Sequence, residues 1–178
     1  MKGFKKLLSL IVVLGFMFIL ASCSGYNFYS DFKKAGAEIE SDNSFIVLTA
    51  DEVETYRKEK KKFVLIIGSS TNSTCVSAIT TIQNEFDNIN YSGKAYFLSV
   101  KDALSSQSEG SKVSKIIGSD IDAGSDGIIF IGYDKSGNIK FNTKKNDDLD
   151  AKKFKPDGVM AYRAIADYIA EYYSVENK

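Results

Sequence analysis

From Phe45 onward the hydrophobic positions alternate between short unbroken runs and helical stripes. Phe45-Ile46-Val47-Leu48 is a brief apolar run and predicts a strand. Thr49-Ala50-Asp51-Glu52 follows in a capping-box pattern, threonine first and glutamate three residues on. It predicts a helix through about Lys60, whose last-turn lysines suit the helix dipole. Phe63-Val64-Leu65-Ile66-Ile67 is apolar at every position, as in a strand buried on both faces, and Gly68 ends it. After a polar stretch, Cys75, Ala78, Ile79, Ile82, Phe86 and Ile89 form one helical stripe. Asn90-Tyr91-Ser92-Gly93 reads as a turn and Ala95 to Val100 as a strand. Residues 101–111 are polar and read as loop; Val113, Ile116 and Ile117 mark a short helix. Gly127 to Tyr133 and Ile139 to Asn142 read as strands joined by a hairpin turn over Asp134 to Asn138, with Gly137 supplying a positive φ. Lys144 to Lys155 is a charged loop. After Pro156, Val159, Tyr162, Ile165, Ile169 and Tyr172 lie on one side of a final amphipathic helix.

The first 22 residues follow a different pattern. Lys2, Lys5 and Lys6 precede an apolar run from Leu7 to Leu20, and small residues follow. This is the layout of a secretory signal, and the run is shorter than the roughly 20 residues a bilayer span needs. Leu20-Ala21-Ser22-Cys23 resembles the bacterial lipobox. The resemblance implies that a diacylglyceryl group alkylates the Cys23 sulfur and that the signal is cut just before it. Two acyl chains give stable anchoring, so the protein is expected at the cell membrane, lipid-anchored on the extracytoplasmic face. An ordinary cleaved signal and an uncleaved anchor are the alternatives. The expected organisation is a signal peptide over 1–22, a tether over 23–44 and one domain over 45–178. Tyr26, Phe28, Tyr29 and Phe32 stand out in the otherwise polar tether and could dock a short helix onto the domain.

Composition narrows the chemistry. The signal takes three lysines and no acid with it, which turns the full chain's zero net charge into −3 for the mature protein. The scattered lysines offer no basic stripe for nucleic acid. Histidine is absent, which removes the usual general base and the commonest metal ligand. Ser-His-Asp and Cys-His catalysis are excluded in their ordinary forms. With two cysteines in all, one expected to carry lipid, the usual zinc sites are excluded too, and nothing in the sequence calls for a cofactor. A lipidated Cys23 leaves Cys75 without a partner in the chain.

The order of elements, the cysteine near a helix start after a buried strand, and the Asp134-Lys135-Ser136-Gly137-Asn138-Ile139 hairpin together resemble the thioredoxin fold over roughly residues 45–174. The resemblance implies an α/β, three-layer sandwich, with a central mixed sheet of about four to five strands flanked by helices. Within that superfamily the chain is similar to small exported or membrane-tethered members, including bacteriocin transport accessory proteins. Redox-active members carry Cys-x-x-Cys at this helix start, where the first thiolate attacks a disulfide and the second cysteine resolves the intermediate. Laid on that pattern, Asn72 takes the attacking position and Cys75 the resolving one. Family members also place a cis-proline opposite the motif. Here Ala123 to Gly127 holds that place, Ser125 or Asp126 stands where the proline would be, and a trans bond is expected.

These departures lead to an expectation of a redox-inactive module that binds a protein or peptide partner at the envelope. Ser70, Thr71, Asn72, Ser73, Thr74, Ser125 and Asp126 are its candidate binding residues. Amides at the helix start could take a carboxylate or a backbone carbonyl. Cys75 on its apolar stripe reads as a small core residue. The alternatives are an enzyme, a monothiol disulfide-exchange factor using Cys75, and an accessory to peptide or bacteriocin export or immunity. Asp120, Asp122 and Asp126 with Gly124 and Gly127 resemble a calcium loop only faintly, since neither starting point satisfies both the sixth and twelfth positions of that pattern. Lys58 to Lys62 reads as a solvated helix end that could touch anionic headgroups.

Overall fold

The computed structural model describes residues 27–103, 106–120, 127–144 and 159–174. The elements are α1 (Phe28–Lys34), β1 (Phe45–Val47), α2 (Ala50–Lys58), β2 (Phe63–Gly68), α3 (Ser73–Asn88), β3 (Ala95–Ser99), α4 (Val100–Ala103), α5 (Gln107–Ile117), β4 (Ile128–Tyr133), β5 (Ile139–Asn142) and α6 (Val159–Ser174). The five strands form one mixed sheet in the order β1-β3-β2-β4-β5. β1, β3 and β2 run parallel, whereas β4 is antiparallel to both β2 and β5.

The unbroken apolar run of β2 is explained by its central place. It is buried throughout and its side chains alternate between two cores. Val64 and Ile66 join Phe97, Phe130, Cys75, Ile79, Ile82 and Phe86 on one face, where α1, α3 and α6 pack. Phe63, Leu65 and Ile67 join Leu98, Val113, Ile117 and Ile131 on the other, under α2 and α5. The result is an α/β sandwich of three layers, because a sheet apolar on both faces must be covered on both.

Local signals fix the element boundaries. The Thr49 hydroxyl accepts the Glu52 amide at 3.2 Å, and the Glu52 carboxylate accepts the Thr49 amide at 2.7 Å. At the hairpin, Asp134 Oδ1 accepts the amides of Ser136 at 2.8 Å and Asn138 at 3.0 Å. The Asn138 and Ser136 amides hold the Asp134 carboxyl below its usual range. Gly137 has φ +77, and a Cβ there would meet the Arg57 carbonyl oxygen at 2.6 Å, so the turn needs glycine twice over.

One segment realises an expectation and another differs from it. The tether's aromatics could dock a short helix onto the domain, and that helix is α1. Phe28 stacks on Phe45 at 4.9 Å, and both Phe28 and Phe32 meet Phe97, at 5.0 and 5.4 Å. Gln83, buried in α3, ties the following stretch down by accepting the Ser44 amide at 3.0 Å. Within 101–111, expected to be loop, α4 continues directly from β3 and α5 begins at Gln107. The Ser106 hydroxyl caps α5 by accepting the Glu109 amide at 3.3 Å. Among the described residues no helix is long and apolar enough to cross a membrane.

Candidate functional site

The candidate site forms where β2 ends and α3 begins. Gly68 to Asn72 carries the chain off the central strand, and Asn72 caps the helix from an extended conformation. Its side-chain oxygen accepts the Cys75 amide at 3.1 Å. This is the ordinary chemistry of an N-cap asparagine, which satisfies one of the orphan donors of the first turn. Upstream, the Ser69 hydroxyl lies 2.7 Å from the Thr71 hydroxyl and accepts the Thr71 amide at 3.1 Å. The Ser69 carbonyl accepts the Asn72 amide at 3.1 Å.

The structure thus brings Ser70, Thr71, Asn72, Ser73 and Thr74 together at one end of the sheet. Thr71, Ser73 and Thr74 are exposed, Asn72 is half-buried and Ser70 is buried. Cys75 lies beneath them with no exposed surface. The loop that enters β4 meets the same place. A Cβ on Gly127 would touch the Thr74 side chain at 3.4 Å, and Gly127 has φ +43. Ser125, Asp126, Cys23 and most of the acidic loop between Asp120 and Gly127 lie outside the described residues. The described residues contain no group of three His, Cys, Asp or Glu that could hold a metal ion.

Burial pushes the Cys75 thiol up to about 12, against the opposing pull of the Ser69 backbone amide on its sulfur. At neutral pH a thiol titrating there is thiolate in only on the order of one molecule in 10⁵, and the thiolate is the nucleophile. Asn72, above it, has no nucleophilic atom of comparable strength. The described part of the site offers hydroxyls, backbone amides and a helix amino end, a set suited to binding polar groups.

Two contributors were not legible in the sequence. Gly68 reads there as a strand terminator, yet a Cβ on it would overlap the Cys75 sulfur. Glycine at this position is therefore a packing requirement of the cysteine seven residues on. Ser69 reads as one of several interchangeable cap candidates, yet it contributes hydroxyl, carbonyl and amide contacts. No protein-family model matches the chain, and no curated protein sequence matches it.

Proposed function

We propose that this protein is an envelope-anchored lipoprotein with a thioredoxin-like domain that binds a protein or peptide partner and performs no disulfide exchange. Its lipid is carried by Cys23, and the start of α3 is its recognition surface. The sheet order, with a parallel trio followed by an antiparallel hairpin, supports the thioredoxin-like reading. The observation that carries the functional reading is the full burial of Cys75 behind Asn72. In a redox-active relative the position of Asn72 would hold the attacking thiol. Here that position caps a helix, and the remaining thiol is held protonated in the core. A partner's backbone carbonyl or carboxylate would meet the exposed Thr71, Ser73 and Thr74 and the positive end of the α3 dipole.

The alignment behind this reading is tested by Asn72→Cys, in protein whose Cys23 is lipidated or replaced. The variant contains Cys-Ser-Thr-Cys at the helix start. If positions 72 and 75 are placed as in a redox motif, it forms an intramolecular disulfide under mild oxidation at low protein concentration, within the Cα reach of about 7 Å. Persistent free thiols under those conditions would refute the placement.

A further inference from the structure

The three parallel strands begin at the same end of the sheet. Phe45 pairs with Ala95, and Leu65 with Tyr96. The β4–β5 turn lies at this end too, because Phe63 pairs with Tyr133. The candidate site, beyond Gly68, is at the other end. Two features share the strand-start end. The first is an open cavity of about 440 Å³ between α2 and the hairpin, lined by Tyr56, Tyr96 and four lysines: Lys60, Lys61, Lys62 and Lys135. Lys61 Nζ sits 3.9 Å over the Tyr56 ring and 2.8 Å from the Glu59 carboxylate. The second is the start of the folded chain. Phe28, the first residue of α1, stacks on Phe45, the first residue of β1. Asp31, further along α1, reaches Lys101 beyond the far end of β3 at 3.5 Å. The amino end of α1 therefore points toward the lysine-bearing end.

We infer that this end of the domain docks on anionic lipid headgroups, through Lys60, Lys61, Lys62 and Lys135, with the start of α3 facing away from the bilayer. The inference rests on lipidation of Cys23. Four peptide steps separate Cys23 from Asn27, and they span at most about 14 Å. The core contacts of Phe28 and Phe32 leave no longer tether, so the lipid keeps the amino end of α1, and with it the strand-start end it points toward, within that reach of the membrane surface. Charge then sets the tilt. Glu38, Glu40, Asp42 and Asp87 outnumber Lys33 around a separate cavity on the α3 side, whereas four lysines line the cavity on the α2 side. An anionic surface attracts the second and repels the first, so the domain leans on its α2 side. Juxtamembrane lysines act within about one Debye length of such a surface.

The test places a fluorophore at Ser136→Cys in the hairpin or at Ser73→Cys at the start of α3, both exposed positions. The lipidated protein is reconstituted into phosphatidylglycerol vesicles carrying a headgroup quencher. The Ser136 label is expected to be quenched at least threefold more than the Ser73 label. Equal or reversed quenching would overturn the orientation. A second arm uses protein from Ser24 onward, which keeps every described element, in sedimentation with phosphatidylglycerol or phosphatidylcholine vesicles. Combined Lys60→Glu, Lys61→Glu and Lys62→Glu should lower partition onto the anionic vesicles at least tenfold, with neither protein binding the neutral ones. Unchanged partition would overturn the lysine role. Intact mass at Cys23 is read separately: an unmodified sulfur would remove the lipoprotein reading, while the vesicle arm still decides the docking face.

Discussion

The Asn72 side-chain oxygen accepts the Cys75 amide at 3.1 Å, so the two residues are joined as a helix cap and its first-turn partner. Asn72→Ala removes the cap and should cost about 1 kcal/mol of stability, whereas Asn72→Ser should cost less. Urea unfolding of the two variants beside wild type measures this. A neutral Asn72→Ala would show that the cap contributes nothing.

Gly68 and Cys75 are coupled by space. Gly68→Ala drives a methyl group into the sulfur and should cost about 1–3 kcal/mol. Cys75→Ala removes the sulfur and should cost about 1 kcal/mol. In the double variant the new methyl meets the Cβ at position 75 at 3.5 Å and the Gly127 carbonyl oxygen at 3.6 Å, both ordinary contacts. The double variant should therefore be more stable than the sum of the singles predicts. Strict additivity in denaturant unfolding would contradict the contact.

Alkaline pH should expose the buried thiol. Its folded-state titration lies near 12 and its ordinary value is 9.0, so the folded state prefers the protonated form. That preference contributes stability fully below about pH 9 and loses it as pH rises through 12. Where the unfolded thiol is ionised and the folded one is not, stability should fall by about 1.4 kcal/mol per pH unit from this group. Tyr91 and Tyr133, pushed up to about 12 by burial, act in the same direction. The stability-versus-pH slope of Cys75→Ala between pH 9 and 11 should be shallower than that of wild type. Identical slopes would mean that the thiol is not held protonated.

Residues 27–44 show where the sequence was legible and where it was not. The β2 run, the α3 stripe, the Thr49 capping box and the Gly137 hairpin depend on spacings of a few residues, and each formed where the pattern placed it, except that Ile89 falls past the end of α3 and is exposed. α1 sits in a polar stretch whose local composition describes a tether. Its aromatic pair, Phe28 and Phe32, becomes core only through Phe45 and Phe97, which lie far off in the chain. α5 had a local signal in Ser106-Gln107-Ser108-Glu109, a serine with glutamate three residues on, but the polar residues around it suggested a loop. The cap hydroxyls and amides at α3 were visible as a composition. The fit of Gly68 against Cys75 was not, because a steric contact between strand end and helix leaves no periodic trace.

The helix α1 carries a consequence for stability. Phe32→Ala should cost about 3–5 kcal/mol, as for a buried aromatic in a packed core, while the exposed Lys34→Ala should stay within about 0.5 kcal/mol. Thermal or urea unfolding distinguishes them. A Phe32→Ala protein as stable as wild type would return residues 27–44 to the status of a tether.

The proposed absence of disulfide exchange is tested most directly by disulfide reductase turnover: reduction of a protein disulfide by excess dithiol, with wild type compared against Cys75→Ala in the folded state at neutral pH. The two proteins should give the same rate, equal to the uncatalysed one. A wild-type rate above the Cys75→Ala rate would show that Cys75 works as a monothiol exchange nucleophile and would contradict the binding-module account.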